Sequence, residues 1–324
     1  MSERPGTIHL PARDIAVPSS VSRQAQAVLA NPPAESFEFP ALDDQQAWRA
    51  MIAAHDDAIA KMMAGRAAAP VTVVRRDLPG GARVYEITPD GLDDGDERVY
   101  LDIHGGGFIW GGGELCATMA VGTALRMAAR VWAVDYRMPP DHPFPAGLDD
   151  CLAAYRALLA ERAPERIIIG GASAGGNLAA ALILRARDEG LPLPAAVVLM
   201  TPGSDLTEAG DSHQTNLGLD PLIPGSARRS FLLYAAGQDL RHPYLSPLNG
   251  DFTQGFPPAI LTTGTRDMLL SDTVLLHRAL RRAGIPAELH VTEAAGHGGF
   301  LGQAPEDHEI LAEVRRFADA HWAD

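Results

Sequence analysis

One serine sits in Gly171-Ala172-Ser173-Ala174-Gly175, between the β-branched run Ile167-Ile168-Ile169 and an alanine-rich stretch that begins after Asn177. The spacing G-x-S-x-G at a strand-to-helix junction is that of a nucleophile elbow. A serine on so tight a turn takes strained backbone angles. The residues two positions away must then be tiny, or their β-carbons would strike the adjoining strand and helix. In a chain with 32 glycines the pattern alone means little. The strand before it and the helix after it give it meaning; without them Ser173 would read as a helix cap in a glycine-rich turn.

A serine hydroxyl is a poor nucleophile and needs a base. Of the 11 histidines, His297 lies in AAGHGGF, directly after the strand-like run AELHVTE. His290 falls inside that run and reads as an edge or packing residue, while His277 and His308 fall on helical stretches and read as surface. A histidine base needs a carboxylate to hold its tautomer and stabilise the imidazolium. Asp267, in GTRDMLLSD, follows the run AILTTG and lies between the serine and the histidine in chain order. Asp272 is the competitor, at the expected start of a helix where aspartate is a common N-cap. The negative oxygen of a tetrahedral intermediate needs preorganised donors. His104-Gly105-Gly106-Gly107 follows the run RVYLDI, and in such a loop the backbone N–H groups do the work. The N–H of Ala174, next to the serine, completes the set. The same glycines lack the GxGxxG and GK[ST] patterns and are followed by Glu114, which argues against a phosphate loop.

These residues need a scaffold, and the chain supplies a regular one. After a hairpin over VTVVRRDLPGGARVYEI, turning at Pro79-Gly80-Gly81, β-branched runs at 98–103, 130–136, 166–170, 195–200, 259–264 and 287–293 alternate with helical stretches. The helices are expected near 115–129, 147–161, 175–189, 271–284 and 306–320. That alternation predicts βαβ units and a mainly parallel sheet. The first 65 or so residues differ: two amphipathic helices, Val21–Ala30 and Leu42–Ala64, are expected there, the second as a packing helix. A long interval between Met200 and Ala259, too long for an ordinary crossover, holds the helical piece SARRSFLLYAAG and reads as a lid or cap.

The formal charge of −14 argues against nucleic acid or an anionic membrane as a partner. The two cysteines, Cys116 and Cys151, form neither a disulfide framework nor a zinc pattern. With no apolar leader at the start and no long apolar window, the expected location is the cytoplasm.

HGGG ahead of GxSxG, with acid and histidine following in order, resembles the hormone-sensitive-lipase-like branch of the α/β-hydrolases, bacterial esterase family IV. The segments DYRMPPDHPFPAGLDDCLAAY, HPYLSPL and FPPAILTTGTRD are similar to that branch too, and the likeness runs from about Val71 onward. It implies an α/β-hydrolase fold with an eight-stranded, mostly parallel sheet flanked by helices. It also implies a helical cap made from the N-terminus and an insertion after the sixth strand. The chain then divides into N-terminal cap helices (1–65), core (66–204), cap insertion (205–245) and core again (246–324). By position Ser173 matches the nucleophile, Asp267 the acid and His297 the base. Gly106, Gly107 and Ala174 match the oxyanion donors, with Gly105 in support, and His104 matches the histidine that organises the glycine loop. The activity implied is hydrolysis of short to medium acyl esters, with no metal or organic cofactor and a small-molecule ester as the partner. Lactone opening, amide cleavage and acyl transfer use the same groups and stay open. A binding-only receptor on this scaffold is the reading from another class, opposed by the presence of all three catalytic side chains. Ala172 and the extra glycine in HGGF depart from the branch's usual pattern and bear on Phe300. Candidate pocket residues are Phe37, Phe108, Trp110, Leu217, Leu222, Phe231 and Tyr234. The C-terminal strand and helix are candidates for a homodimer contact.

Overall fold

A computed structural model of the chain describes residues 6, 8, 12, 14–31, 38–64 and 69–323. Its strands are β1 (Val71–Asp77), β2 (Arg83–Pro89), β3 (Val99–Ile103), β4 (Arg130–Val134), β5 (Ile167–Ala172), β6 (Ala196–Met200), β7 (Ala259–Gly264) and β8 (Ala287–Thr292). They form one sheet in the order β1-β2-β4-β3-β5-β6-β7-β8. The hairpin β1–β2 and the pair β2–β4 are antiparallel, and every pairing from β4 across to β8 is parallel. The hairpin closes at Pro79–Gly81, where Gly80 and Gly81 take φ of 82° and 87°.

The helices are α1 (Arg23–Leu29), α2 (Gln45–Met63), α3 (Glu114–Met127), α4 (Ala146–Glu161), α5 (Ala174–Asp188), α6 (Ser212–Thr215), α7 (Arg228–Ala235), α8 (Leu270–Arg282) and α9 (Pro305–His321). α4, α5 and α8 cover one face of the sheet; α3 and α9 cover the other. A strand covered on both faces must be apolar throughout, which is why β5 reads Ile-Ile-Ile and not as an alternation. Ile167, Ile168 and Ile169 are fully buried, each contributing on the order of 2 kcal/mol relative to exposure.

α1 and α2 both begin on side-chain caps. The Ser22 side chain accepts from Ala25 N and the Asp44 side chain from Ala47 N. Trp48 is the buried anchor of α2, and its indole N–H donates to Ala41 O at 2.9 Å. The interval between β6 and β7 carries α6 and α7, with irregular chain around them. Among the described residues, no helix is long and apolar enough to cross a membrane.

Candidate active site

β5, β7 and β8 run parallel, so the residues that follow them emerge along one edge of the sheet. Ser173 follows β5, Asp267 follows β7 and His297 follows β8. This is the edge at which open α/β sheets place their ligands.

Ser173 has φ 57° and ψ −120°, a conformation that residues with a β-carbon seldom adopt. The turn is held by Ser173 N donating to Met200 O at 2.9 Å and by Gly203 N donating to Ser173 O at 3.2 Å. A β-carbon on Gly175 would collide with the Ile103 and His104 carbonyl oxygens, and one on Gly171 with the Gly175 carbonyl. The tiny flanking residues are thus a steric requirement of backbone passing backbone. Asn177, in the first turn of α5, donates through Nδ2 to Gly203 O and Leu245 O, both at 2.7 Å. It fastens the elbow to both ends of the insertion.

Asp267 and His297 are in contact. His297 Nδ1 lies 3.1 Å from Asp267 Oδ1, and both side chains are buried. With the carboxylate as acceptor, the proton resides on Nδ1 and Nε2 keeps its lone pair. Asp267 is itself fixed: Thr263 Oγ1 donates to Oδ2 at 2.7 Å and Leu269 N to Oδ1 at 2.8 Å. Burial would lower the pKa of the imidazole. The Asp267 carboxylate, by charge and hydrogen bond, together with the charge of Asp220 outweighs burial and raises it above the ordinary histidine value.

The glycine loop contributes donors. Among the described residues, the N–H groups of Gly106, Gly107 and Ala174 have no hydrogen-bond acceptor. Gly106 stands at φ 114°, and its carbonyl accepts from Ile109 N at 3.0 Å and Trp110 N at 2.9 Å. The loop is buttressed from beneath by His104, whose ring stacks on Tyr136 with centroids 4.2 Å apart. Its Nδ1 lies 2.7 Å from Gly105 O, and Tyr136 donates its hydroxyl to His104 O at 3.0 Å. Burial lowers the His104 pKa, so the ring acts as a neutral strut.

Three features escaped the sequence reading. The first is Asp220, in the insertion, fully buried beside His297 and Asp267. It lies among turn-forming residues, and nothing in its spacing marks it. The second is the grip of α2 on the glycine loop. Asp56 Oδ1 accepts from Gly111 N at 3.1 Å, and the His55 ring stacks on Trp110 with centroids 4.1 Å apart. Phe39 stacks on the other neighbours, Trp48 and Trp110. The third is the environment of Asp272. The sequence suggests an N-cap, but Leu269 occupies that position, and Asp272 is buried in the first turn of α8. Its Oδ1 meets His213 Nε2 at 2.9 Å and its Oδ2 accepts from Asp205 N at 3.0 Å. It serves a different histidine. His277, expected at the surface, is half-buried with Nε2 3.3 Å from Ala287 O, whereas His308 is exposed.

The candidate pocket residues separate by environment. Phe108, Phe231 and Tyr234 are buried in one aromatic cluster, with Phe108 stacked on Tyr234 at 4.1 Å between centroids. Leu217 and Leu222 are exposed, and Phe37 lies outside the described residues. Phe300, placed in question by the extra glycine, is fully buried against Val21, Ala25 and Val28 at α1. The glycines reach that arrangement through φ of 78° at Gly298 and 73° at Gly299.

Asp220, Asp267 and His297 bring three potential metal ligands within 4.8 Å of one another. All four carboxylate oxygens already accept hydrogen bonds from protein donors. The cluster is organised around the imidazole rather than around an ion.

A strained serine at a strand-to-helix turn, a histidine oriented by a buried carboxylate and a glycine loop with spare amides are the groups that a nucleophilic hydrolase of the α/β type would use. Residues 100–301 match the family model described as the alpha/beta hydrolase fold. An acetyl-hydrolase of Streptomyces hygroscopicus is 39% identical over 59% of this chain and 64% of its own length, so the match spans a little under two thirds of that relative. An esterase of Acinetobacter venetianus is 31% identical over 68% of this chain and 74% of its own. Among solved structures, that of an esterase named E25 covers 98% of this chain and 99% of its own, with 34% identity and a TM-score of 0.87. An esterase from the bacterial hormone-sensitive lipase family covers 93% and 99%, with 30% identity and a TM-score of 0.76. The chain belongs to the α/β-hydrolase fold family and, within it, to the hormone-sensitive-lipase-like branch of bacterial family IV carboxylesterases.

Proposed function

We propose that the chain is a serine carboxylesterase that hydrolyses short to medium acyl esters through an acyl-enzyme, with Ser173 as nucleophile, His297 as base and Asp267 as acid. The observation that carries this reading is the hydrogen bond from His297 Nδ1 to the buried Asp267, formed along the sheet edge that also presents the strained Ser173.

In this mechanism Ser173 Oγ attacks the ester carbonyl carbon and His297 Nε2 takes the hydroxyl proton. Charge develops on the carbonyl oxygen, which the N–H groups of Gly106, Gly107 and Ala174 receive. Collapse breaks the bond to the alcohol, which leaves with the proton from Nε2. Water then attacks the acyl-serine with the same base and the same donors, releasing the acid and restoring Ser173. The N-terminal helices (1–65) and the insertion (205–245) act as the cap over this edge. The buried aromatic cluster of Phe108, Phe231 and Tyr234 restricts the acyl side and favours short chains. A structural relative was soaked with p-nitrophenyl butyrate, an ester of that size.

The test is hydrolysis of p-nitrophenyl esters from acetate to dodecanoate by the wild type and Ser173→Ala side by side. Turnover of acetate and butyrate by the wild type, with the variant at background, is the expected result. Equal rates for the two proteins would remove Ser173 from the mechanism, and an optimum at dodecanoate would overturn the short-chain assignment.

A further inference from the structure

Asp220 belongs to the insertion between β6 and β7, not to a strand end, yet its carboxylate is fully buried at the catalytic edge. The four donors around it are all backbone N–H groups. Oδ1 accepts from Leu222 N at 2.9 Å and Ile223 N at 3.0 Å, which closes the turn that Asp220 itself begins. Oδ2 accepts from Met268 N at 2.9 Å and His297 N at 3.0 Å. The first pair is an ordinary turn bond that asparagine would also make. The second pair is different in kind. It ties the residue after the proposed acid to the proposed base, and both to the insertion.

We propose that Asp220 is a positioning residue for the histidine base: its Oδ2 locks the acid loop and the base loop at a fixed separation, and its charge faces the imidazole. The proposal rests on the reading of His297 as the base. An asparagine could not replace it. With one oxygen committed to Leu222 and Ile223, the amide nitrogen would face Met268 N and His297 N, setting donor against donor. The charged groups that face His297 are Asp267, from the loop between β7 and α8, and Asp220, from the insertion. Those that face Asp220 are His297 and Asp267. Burial pushes the Asp220 carboxyl upward, opposed by the nearby imidazole and the N–H donors. The neighbouring glycine is shaped around the contact: a β-carbon on Gly296 would run into Pro221 and stand 3.3 Å from Asp220 Oδ1.

The test compares wild type, Asp220→Asn, Asp220→Glu and Ser173→Ala on p-nitrophenyl butyrate, reading kcat and KM between pH 5 and pH 9, with thermal unfolding of each. Removing the charge takes away one of two stabilisers of the imidazolium, so the acid limb of kcat/KM for Asp220→Asn moves to lower pH by roughly 1 unit. Its kcat falls on the order of 10- to 100-fold through misplacement of the base, while KM changes by about twofold or less. Asp220→Glu keeps the charge and is expected to keep the acid limb in place while losing kcat. A merely structural role would lower the unfolding temperature and leave the limb and kcat where they are. That outcome, with Ser173→Ala inert, overturns the proposal and leaves the triad reading standing. Activity in Ser173→Ala overturns the triad reading instead. Should Asp220→Asn fail to unfold cooperatively, Asp220→Glu decides: reduced kcat with an unmoved limb supports the proposal, and wild-type kcat or a displaced limb overturns it.

Discussion

Gly107 and Phe108 stand in consecutive left-handed conformations, φ 58° and 67°. A β-carbon on Gly107 would meet Ser230 Oγ at 3.6 Å and Ile109 Cγ1 at 4.0 Å, ordinary contacts that the fold tolerates. Gly107→Ala should therefore cost only the backbone penalty, about 1 kcal/mol, and lower the melting temperature by roughly 1–2 °C. Its larger effect should fall on the acyl carbonyl, which the new methyl crowds. A drop of about tenfold or more in kcat/KM beside that small thermal shift is the expected outcome, measured by ester kinetics and thermal unfolding. Legibility at this scale followed chemistry that leaves a pattern. Ser173 carries its glycines with it, and Asp267 and His297 each follow a strand that its β-branched residues announce. Asp220 carries no such mark. Its role depends on an insertion folding back over two loops, and Asp-Pro at a turn looks the same whether or not it does so.

Between elements, the pair His213–Asp272 ties α6 to α8, and Ser212 and Ser271 reinforce it by exchanging backbone-to-hydroxyl bonds at 2.9 Å in both directions. Burial opposes the charge on His213, but the carboxylate of Asp272 wins and raises the imidazole pKa. A histidine pKa raised on folding contributes stability that is complete below its unfolded value and disappears as pH rises through the folded one. His213→Ala should lose about 3 kcal/mol at pH 6, where the charged imidazole pairs with the buried carboxylate, and less at pH 9, where the neutral imidazole supplies a hydrogen bond alone. Urea unfolding at the two pH values measures this; an equal loss at both would show that the pair is not ionic. Strands and helices of the core were readable because a two-sided sheet forces continuous apolar runs, and their expected spans fall within a few residues of those observed. The purpose of α2 was not readable. Its sequence shows a helix with small apolar residues, while the contact that matters, Asp56 with Gly111, involves a polar residue on an ordinary solvated pattern.

For the molecule as a whole, a formal charge of −14 sets a net negative field against the approach of anionic substrates. Monoesters bearing a free carboxylate should show lower kcat/KM than neutral esters of the same length, and the gap should shrink between 10 mM and 500 mM salt as screening shortens the field. A gap independent of salt would place the discrimination in local contacts instead. α1 meets the loop after β8 and the start of α9. Val21, Ala25 and Val28 of the first helical segment pack on Phe300, and Ser22 N and Oγ donate to Glu306 Oε1 and Oε2 at 2.6 and 2.8 Å across a separation of 284 residues. During synthesis α1 emerges well before Phe300 and Glu306, its partners. The apolar side of α1 therefore stays uncovered until the loop after β8 has been made, and that loop gains its backing from α1 only then.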